Sequence, residues 1–289
     1  MNILLTGSTG FLGYELLKNL KQENNIIHAL IRCSSSKERI IKSKKIFYYQ
    51  IEDTNLDNLI KENKIDLVIH CATSYGRNEN HIATLESNLL FPLSILQCCL
   101  RNNVKYFINT DTILDKRINS YSLSKKQFLD WLDFFSEEII CINILLEHFF
   151  GAFDSPSKFT TFIIKELIKN KKTKINLTKG EQKRDFIYIE DVIKAFEKII
   201  LSIDAFEIGI IHNIELGSGN SVSIKDFVLL VAELCNNNNT KLNFGGLEYR
   251  QNEIMDSKVN LKKIESLGWK NKHSLRDSLI KTINLEKTR

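Results

Sequence analysis

Tyr121 and Lys125 stand four residues apart in "YSLSK", at the head of "SLSKKQFLDWLDFFSEE", whose apolar residues recur at helical spacing. Four residues make about one helical turn, so a phenol and an ammonium leave the same helix face, one above the other. A phenol with an ordinary pKa of about 10 is a poor acid–base group at neutral pH until a nearby cation favours its phenolate. Lys125 is placed to be that cation. The chemistry such a pair can do is proton transfer to or from an oxygen.

A lone Y-x-x-x-K arises by chance on many surface helices. What distinguishes this one is the order of motifs around it. "TGSTGFLG" (residues 6–13) follows the apolar run Ile3-Leu4-Leu5 and precedes the helical pattern of "YELLKNLKQ". Gly7, Gly10 and Gly13 allow a sharp turn and a close approach of phosphates to backbone N–H groups. The helix that opens there points its positive end at them. Asn88 then falls within the helical segment "ATLESNLLFPLSILQCCLRNN", and "NTDT" (109–112) closes a strand just before Tyr121.

The elements that must position these residues follow from periodicity. Runs rich in Ile, Val and Leu ("NILLT", "IIHALI", "KIFYY", "DLVIHCA", "KYFINT", "IICINILL") alternate with helical segments. Strand alternating with helix predicts an α/β fold, a doubly wound parallel sheet of Rossmann type over residues 1–150. Past Gly151 the rhythm is lost. Helices "KFTTFIIKELIKN", "IEDVIKAFEKIIL" and "SIKDFVLLVAELC" alternate with isolated strand-like pieces. This predicts a smaller substrate-holding lobe over 151–289, partly interleaved with the first domain, and a ligand cleft between the two.

With 289 residues and 43% apolar composition the chain can bury a substantial core. The net charge of +5 comes from lysines spread along the chain, which suits an anionic nucleotide or simply a solvated surface and offers no block for nucleic acid. Cys33, Cys71, Cys98, Cys99, Cys141 and Cys235 form no C-x-x-C pair and have no His at metal-ligand spacing, so no metal is expected and reduced cytoplasmic thiols are. No leader precedes the first strand, and Glu137, Glu138 and Glu147 interrupt the most apolar later stretch, so no membrane insertion is expected.

On these residues the chain resembles the extended short-chain dehydrogenase/reductases, in their nucleotide-sugar epimerase, dehydratase and reductase branch. The resemblance runs nearly the whole length. Within the branch, "ATSYG", "NTDT", "LLEHFFG", "GEQKRDFIYIEDV" and "FGGLEYRQNEIM" are similar to the CDP-abequose and CDP-paratose synthase group, which reduces the 4-keto group of a CDP-linked dideoxyhexose. Leu146 stands where the branch usually carries Arg, and Ala152 where it carries Pro.

The resemblance implies a nicotinamide cofactor held by Thr6, Gly7, Gly10, Phe11, Leu12 and Gly13, with Cys71, Ala72 and Thr73 under the ribose and nicotinamide side. It implies that Tyr121 gives a proton to the carbonyl oxygen and that Thr110 hydrogen-bonds it. Lys125 would hold the nicotinamide ribose and lower the Tyr121 pKa, and Asn88 would support Lys125. Asp111, His148, Arg184 and Arg250 would face the nucleotide sugar, the two arginines on its diphosphate. Asp191 reads as a charge at a helix N-terminus.

Dehydratases of this branch carry Asp and Glu after the catalytic Thr. Here Asp111 is followed by Thr112, and a hydroxyl cannot serve as that base. Arg32 closes the second strand where an acidic residue would take the ribose diol, which suits a 2′-phosphate and favours NADPH over NAD. The expectation is an NADPH-dependent 4-ketoreductase, a homodimer, in surface-polysaccharide synthesis. A C4-epimerase with tightly held NAD is the alternative. A non-catalytic cofactor-sensing or RNA-associated member of the fold is a further one, although such proteins tend to lose the Tyr or Lys.

Overall fold

A computed structural model describes residues 1–76 and 80–288. In chain order it contains β1 (Asn2–Thr6), α1 (Phe11–Leu20), β2 (Ile26–Ile31), β3 (Ile46–Gln50), α2 (Leu56–Glu62), β4 (Leu67–His70), α3 (His81–Leu85), α4 (Phe91–Arg101), β5 (Tyr106–Thr112), α5 (Ser120–Phe134) and β6 (Ile140–Leu146). Then come β7 (His148–Phe150), α6 (Phe159–Lys169), β8 (Lys174–Leu177), β9 (Lys183–Tyr188), α7 (Ile189–Leu201), β10 (His212–Leu216), β11 (Ser221–Ser223), α8 (Ile224–Leu234), β12 (Lys241–Phe244), α9 (Lys262–Ser266) and α10 (Leu275–Glu286).

The chain divides into two compact units, residues 1–146 with 196–214 and residues 147–195 with 215–289. The first is built on a sheet of order β10-β6-β5-β4-β1-β2-β3, with parallel registers from β3 through β6. The doubly wound sheet read from the sequence is therefore present. Its seventh strand, β10, comes from far downstream, where local periodicity shows only an isolated strand-like piece.

Residues of β1, β4 and β5 are buried on both faces, which is why Ile3–Leu5, Leu67–Ile69 and Tyr106–Ile108 are apolar runs without alternation. On one face Leu4, Val68, Phe107 and Cys141 pack with Leu59 and Ile60 of α2, Ile95 and Leu96 of α4, and Phe128 and Leu132 of α5. The strand order reverses between β1 and β4. Their carboxyl ends lie side by side, with Thr6 paired to His70, and this is where such sheets bind ligands.

The helical run from His81 to Arg101 is long and apolar enough to cross a membrane. In this fold its second half is a core helix, with Ile95, Leu96, Cys98 and Cys99 buried against the sheet. The run is also not one regular helix, because Glu86–Leu90 form a π-helical turn between α3 and α4.

The second unit holds a three-stranded sheet, β11-β9-β7, and a two-stranded parallel pair, β12-β8. Asp191, in the first turn of α7, does more than the helix-end role expected of it. Its carboxylate accepts the backbone N–H groups of Lys272 and His273 and lies 3.0 Å from the His273 ring, while its carbonyl accepts the Trp269 indole N–H. It clamps the C-terminal segment to α7.

Candidate active site

The glycine loop is shaped by contact. Gly7 has φ +71°, and a Cβ there would lie 2.6 Å from the Ala72 backbone nitrogen; a Cβ at Gly13 would run into the Gly7 carbonyl oxygen. Gly10 meets only the Gly7 carbonyl, at 3.1 Å, and caps α1 without a side chain. The buried Ser8 hydroxyl in the same loop has no hydrogen-bond partner among the described residues. A close backbone cradle, an uncapped helix N-terminus and an orphan hydroxyl together fit a dinucleotide's phosphates.

Thr6 ties this loop to the one after β4. Its hydroxyl oxygen accepts the N–H groups of Cys71 and Ala72 at 3.2 and 3.1 Å, so its own proton goes to His70 Nδ1, 2.9 Å away. That assigns the Nε2–H tautomer to His70, and burial lowers its pKa well below the ordinary value.

The buried Asn88 sits in the π-helical turn. Its amide oxygen accepts the Ser74 N–H (2.7 Å) and the Thr73 hydroxyl (3.1 Å), and its nitrogen donates to the Ser74 carbonyl (2.8 Å) and the Ser124 hydroxyl (3.0 Å). Asn88 thereby joins the loop after β4 to the helix that carries Lys125. π-Helical turns cluster at functional positions because they re-aim a side chain within a helix.

A capping box of Asn119 and Ser122 starts α5 and sets Tyr121 in its first turn. Lys125 is almost fully buried, and its Nζ donates to the Thr110 carbonyl at 2.9 Å. Burial lowers its pKa from 10.5 to about 8, against the pull of the Asp111 charge. The effect expected of Lys125 on Tyr121 is not what the structure displays. Burial raises the Tyr121 phenol well above its ordinary range, with Tyr75 and Asp111 adding to it, and only the Thr112 side chain opposes this.

At the end of β5 the Thr110 hydroxyl donates to the His70 carbonyl at 2.9 Å, while Thr112, two residues on and on the same strand face, is the hydroxyl that acts on Tyr121. Asp111 is turned the other way. Its side chain has no solvent exposure and takes donors from Lys126, Asn143 and the Thr112 N–H, so the direct sugar contact expected of it is replaced by a place inside the sheet.

Reading the sequence missed Thr112, Lys126 and Tyr75, whose ring centroid lies 5.1 Å from that of Tyr121. It also missed two residues beside the glycine loop and the end of β2. Arg39 donates to the Thr9 carbonyl at 3.2 Å and lies over the rings of Phe11 and Tyr14. Glu52 accepts the Cys33 N–H with both oxygens at 3.1 Å, close enough to Arg32 to feel its charge. Arg32 itself stands just past β2, its backbone in a turn with Ser35. Of these, Tyr75 and Thr112 lie inside the quoted motifs "ATSYG" and "NTDT" and Lys126 adjoins "YSLSK", whereas Arg39 and Glu52 had no signal in sequence.

In the second unit Arg184, on β9, is nearly buried and pairs with Glu253; its other donors go to the carbonyls of Lys183 and Ile254 at 2.6 Å. The Glu253 N–H in turn bonds the backbone carbonyl of the exposed Arg250, so the turn that carries Arg250 adjoins the Arg184–Glu253 pair. His148, on β7, is partly exposed and lies 3.1 Å from the buried Glu147 carboxylate, which also takes the Ser257 hydroxyl.

The model of the NAD dependent epimerase/dehydratase family matches residues 3–214. The chain is 32% identical to CDP-abequose synthase of Salmonella muenchen over 98% of this chain and 97% of that one. It is 29% identical to CDP-abequose synthase of Yersinia pseudotuberculosis over 88% and 91%. Among solved structures, UDP-glucose 4-epimerase of Thermotoga maritima with UDP-glucose superposes with a TM-score of 0.86 at 20% identity, covering 100% of this chain and 99% of that one. MoeE5 in complex with UDP-glucose and NAD gives 0.85 at 18%, with coverage of 100% and 99%. The chain belongs to the NAD-dependent epimerase/dehydratase family, extended short-chain dehydrogenase/reductases that work on nucleotide sugars with a nicotinamide cofactor.

Proposed function

We propose that this protein is an NADPH-dependent 4-ketoreductase of a CDP-linked 4-keto-6-deoxy or 3,6-dideoxy hexose, acting in the cytoplasm as a homodimer in surface-polysaccharide synthesis. The arrangement that carries the reading is Tyr121 and Lys125 one turn apart on α5 against the end of β5, where Lys125 donates to the Thr110 carbonyl and Thr112 stands beside the Tyr121 phenol, while that strand's own carboxylate, Asp111, is enclosed. A carbonyl accepting hydride becomes an alkoxide and needs a proton donor and hydrogen-bond donors in place beforehand. Tyr121 gives the proton and Thr112 supplies the neighbouring hydroxyl; the Thr110 hydroxyl joins them by turning from the His70 carbonyl to the substrate oxygen. When bound, the dihydronicotinamide supplies the hydride. Lys125, with Asn88 behind its helix, holds the nicotinamide ribose, and Thr6 with Gly7, Gly10, Phe11, Leu12, Gly13, Cys71, Ala72 and Thr73 surrounds the rest of the cofactor. The likeness to CDP-abequose synthases over nearly the full chain supports a CDP-sugar substrate.

His148, Arg184 and Arg250 bind the nucleotide sugar in this reading, and Asp111 acts on it only indirectly. Arg32 takes the 2′-phosphate of NADPH, and Arg39 provides a second cation beside the glycine loop. The homodimer is supported by the exposed Ile82, Leu90, Leu123, Trp131 and Phe134, an apolar face on the α3–α4 run and α5. One observation favours the C4-epimerase instead: Glu52 sets a carboxylate beside Arg32, as a ribose diol would require.

The test is incubation with NADPH and CDP-, dTDP-, GDP- and UDP-linked 4-keto-6-deoxy sugars, following loss of dihydronicotinamide absorbance and identifying the product by mass spectrometry. Reduction of the CDP-sugar is expected. No oxidation of NADPH with any sugar, or interconversion of 4-epimers by protein that copurifies with NAD, overturns the reading.

A further inference from the structure

The ion pair of Lys126 and Asp111 lies behind the catalytic candidates and takes no part in the reaction as written above. The Asp111 side chain has no solvent exposure, yet three donors converge on it: the Thr112 N–H at 2.7 Å, the Lys126 ammonium at 2.9 Å and the Asn143 amide at 3.1 Å. Asn143 also accepts from Asn109 and donates to Asn213, so the carboxylate sits at the edge of an amide network crossing β5, β6 and β10. A carboxylate so enclosed is strongly unfavourable without a cation.

Lys126 also donates to the Thr112 carbonyl at 2.7 Å, while Lys125 donates to the Thr110 carbonyl at 2.9 Å. Two successive lysines thus grip alternate carbonyls at the end of β5. Among the described residues, the groups that act on Lys125 or are acted on by it are Asp111 from β5, His70 from β4, Cys71 beyond it, and Lys126 from α5; Tyr121, one turn before Lys125, faces Tyr75, Asp111 and Thr112. Burial pushes the Cys71 thiol up to about 12 and lowers His70 well below its ordinary value, so neither carries charge at neutral pH. Among the described residues, the Lys126–Asp111 pair is the charge that acts on Lys125, its two members in opposite senses.

We infer that Lys126 is a positioning residue: paired with the buried Asp111 carboxylate, it holds the end of β5 and balances the charge felt by Lys125 and Tyr121, setting the pH range over which the site works. This rests on the reading of Tyr121 and Lys125 as the catalytic pair. Asp111 in this role is a charge behind the site and touches neither sugar nor cofactor.

The experiment is a carbon NMR titration of the lysine ε-methylenes in the full-length protein without substrate, the Lys125 signal being identified by its loss in Lys125→Met. Lys126→Met removes a positive neighbour and leaves Asp111 unscreened, so the Lys125 midpoint moves upward; Asp111→Asn moves it downward; each shift is about half to one pH unit. Lys126→Arg restores the wild-type midpoint. Shifts in the same direction, or none, overturn the inference. Should Lys126→Met fail to fold, Asp111→Asn, nearly isosteric, still decides it: an unmoved or raised midpoint rejects the role. The titration needs no sugar, so its failure is distinguishable from failure of the ketoreductase reading, which the sugar panel tests.

Discussion

The Asn88 amide donates to the Ser124 hydroxyl across 3.0 Å, one residue before Lys125, from a π-helical turn that brings the amide out of the regular helical phase. Asn88→Ala leaves the half-buried Ser74 N–H and carbonyl and the buried Ser124 hydroxyl without their partner. A loss of about 2 to 4 kcal/mol is expected in urea unfolding, together with weaker cofactor binding, because the loop after β4 and α5 lose their tie. Unchanged stability would remove Asn88 from that role.

Tyr121→Phe keeps the ring that packs against Tyr75 and deletes only the hydroxyl. Turnover should fall about 10²-fold to 10⁴-fold, the usual worth of a positioned proton donor, with the melting temperature and NADPH affinity retained. Single-turnover hydride transfer at saturating NADPH is the measurement. Near-normal rates would take Tyr121 out of the mechanism.

In the proposed reading, cofactor choice turns on Arg32, Arg39 and Glu52. With Arg32 on the 2′-phosphate, NADPH binds better than NADH by about tenfold to a hundredfold, the range of a charge-assisted hydrogen bond, and Arg32→Asp abolishes the preference. Glu52→Gln should widen it, since the carboxylate repels a phosphate. Calorimetric titration of both cofactors checks each variant, and equal affinities in the unmodified protein would reject the NADPH assignment.

Dehydration should be absent. Thr112 carries no base and the Asp111 carboxylate is enclosed, so an overnight incubation with NAD and CDP-glucose should give no product lighter by one water in mass spectrometry. A dehydrated sugar nucleotide would show that another group supplies the base.

Lys125 makes stability depend on pH in a definite direction. Its folded pKa is about 8 against an ordinary 10.5, so between those values the unfolded chain holds more protons and folding is favoured as pH rises. Below about 8 the penalty for burying the ammonium is fully present. Unfolding free energy of the wild type should therefore gain on that of Lys125→Met from pH 8 to pH 10. The difference between the two proteins cancels the opposing effect of buried thiols such as Cys99. A flat or falling difference would contradict a buried, weakened ammonium.

The parts of this protein readable from sequence alone are those with local causes. Strand and helix alternate because apolar residues recur at fixed periods, and "TGSTGFLG" marks a tight loop because its glycines are needed where backbone meets backbone, as Gly7 and Gly13 do. Tyr121 and Lys125 share a face because a helix has 3.6 residues per turn. Tertiary structure alone decided the rest. Strand alternation puts Thr110 and Thr112 together and Asp111 opposite, yet nothing local says which face meets the ligand and which meets Asn143 and Lys126. The π-helical turn at Asn88 lies in a sequence indistinguishable from a regular helix, since it depends on partners at Ser74 and Ser124. Arg39 reaches Thr9 across 30 residues, and Asp191 reaches His273 across 82. The raised pKa of Tyr121 and the weakened Lys125 follow from burial, a property of the packed chain that no residue type carries by itself.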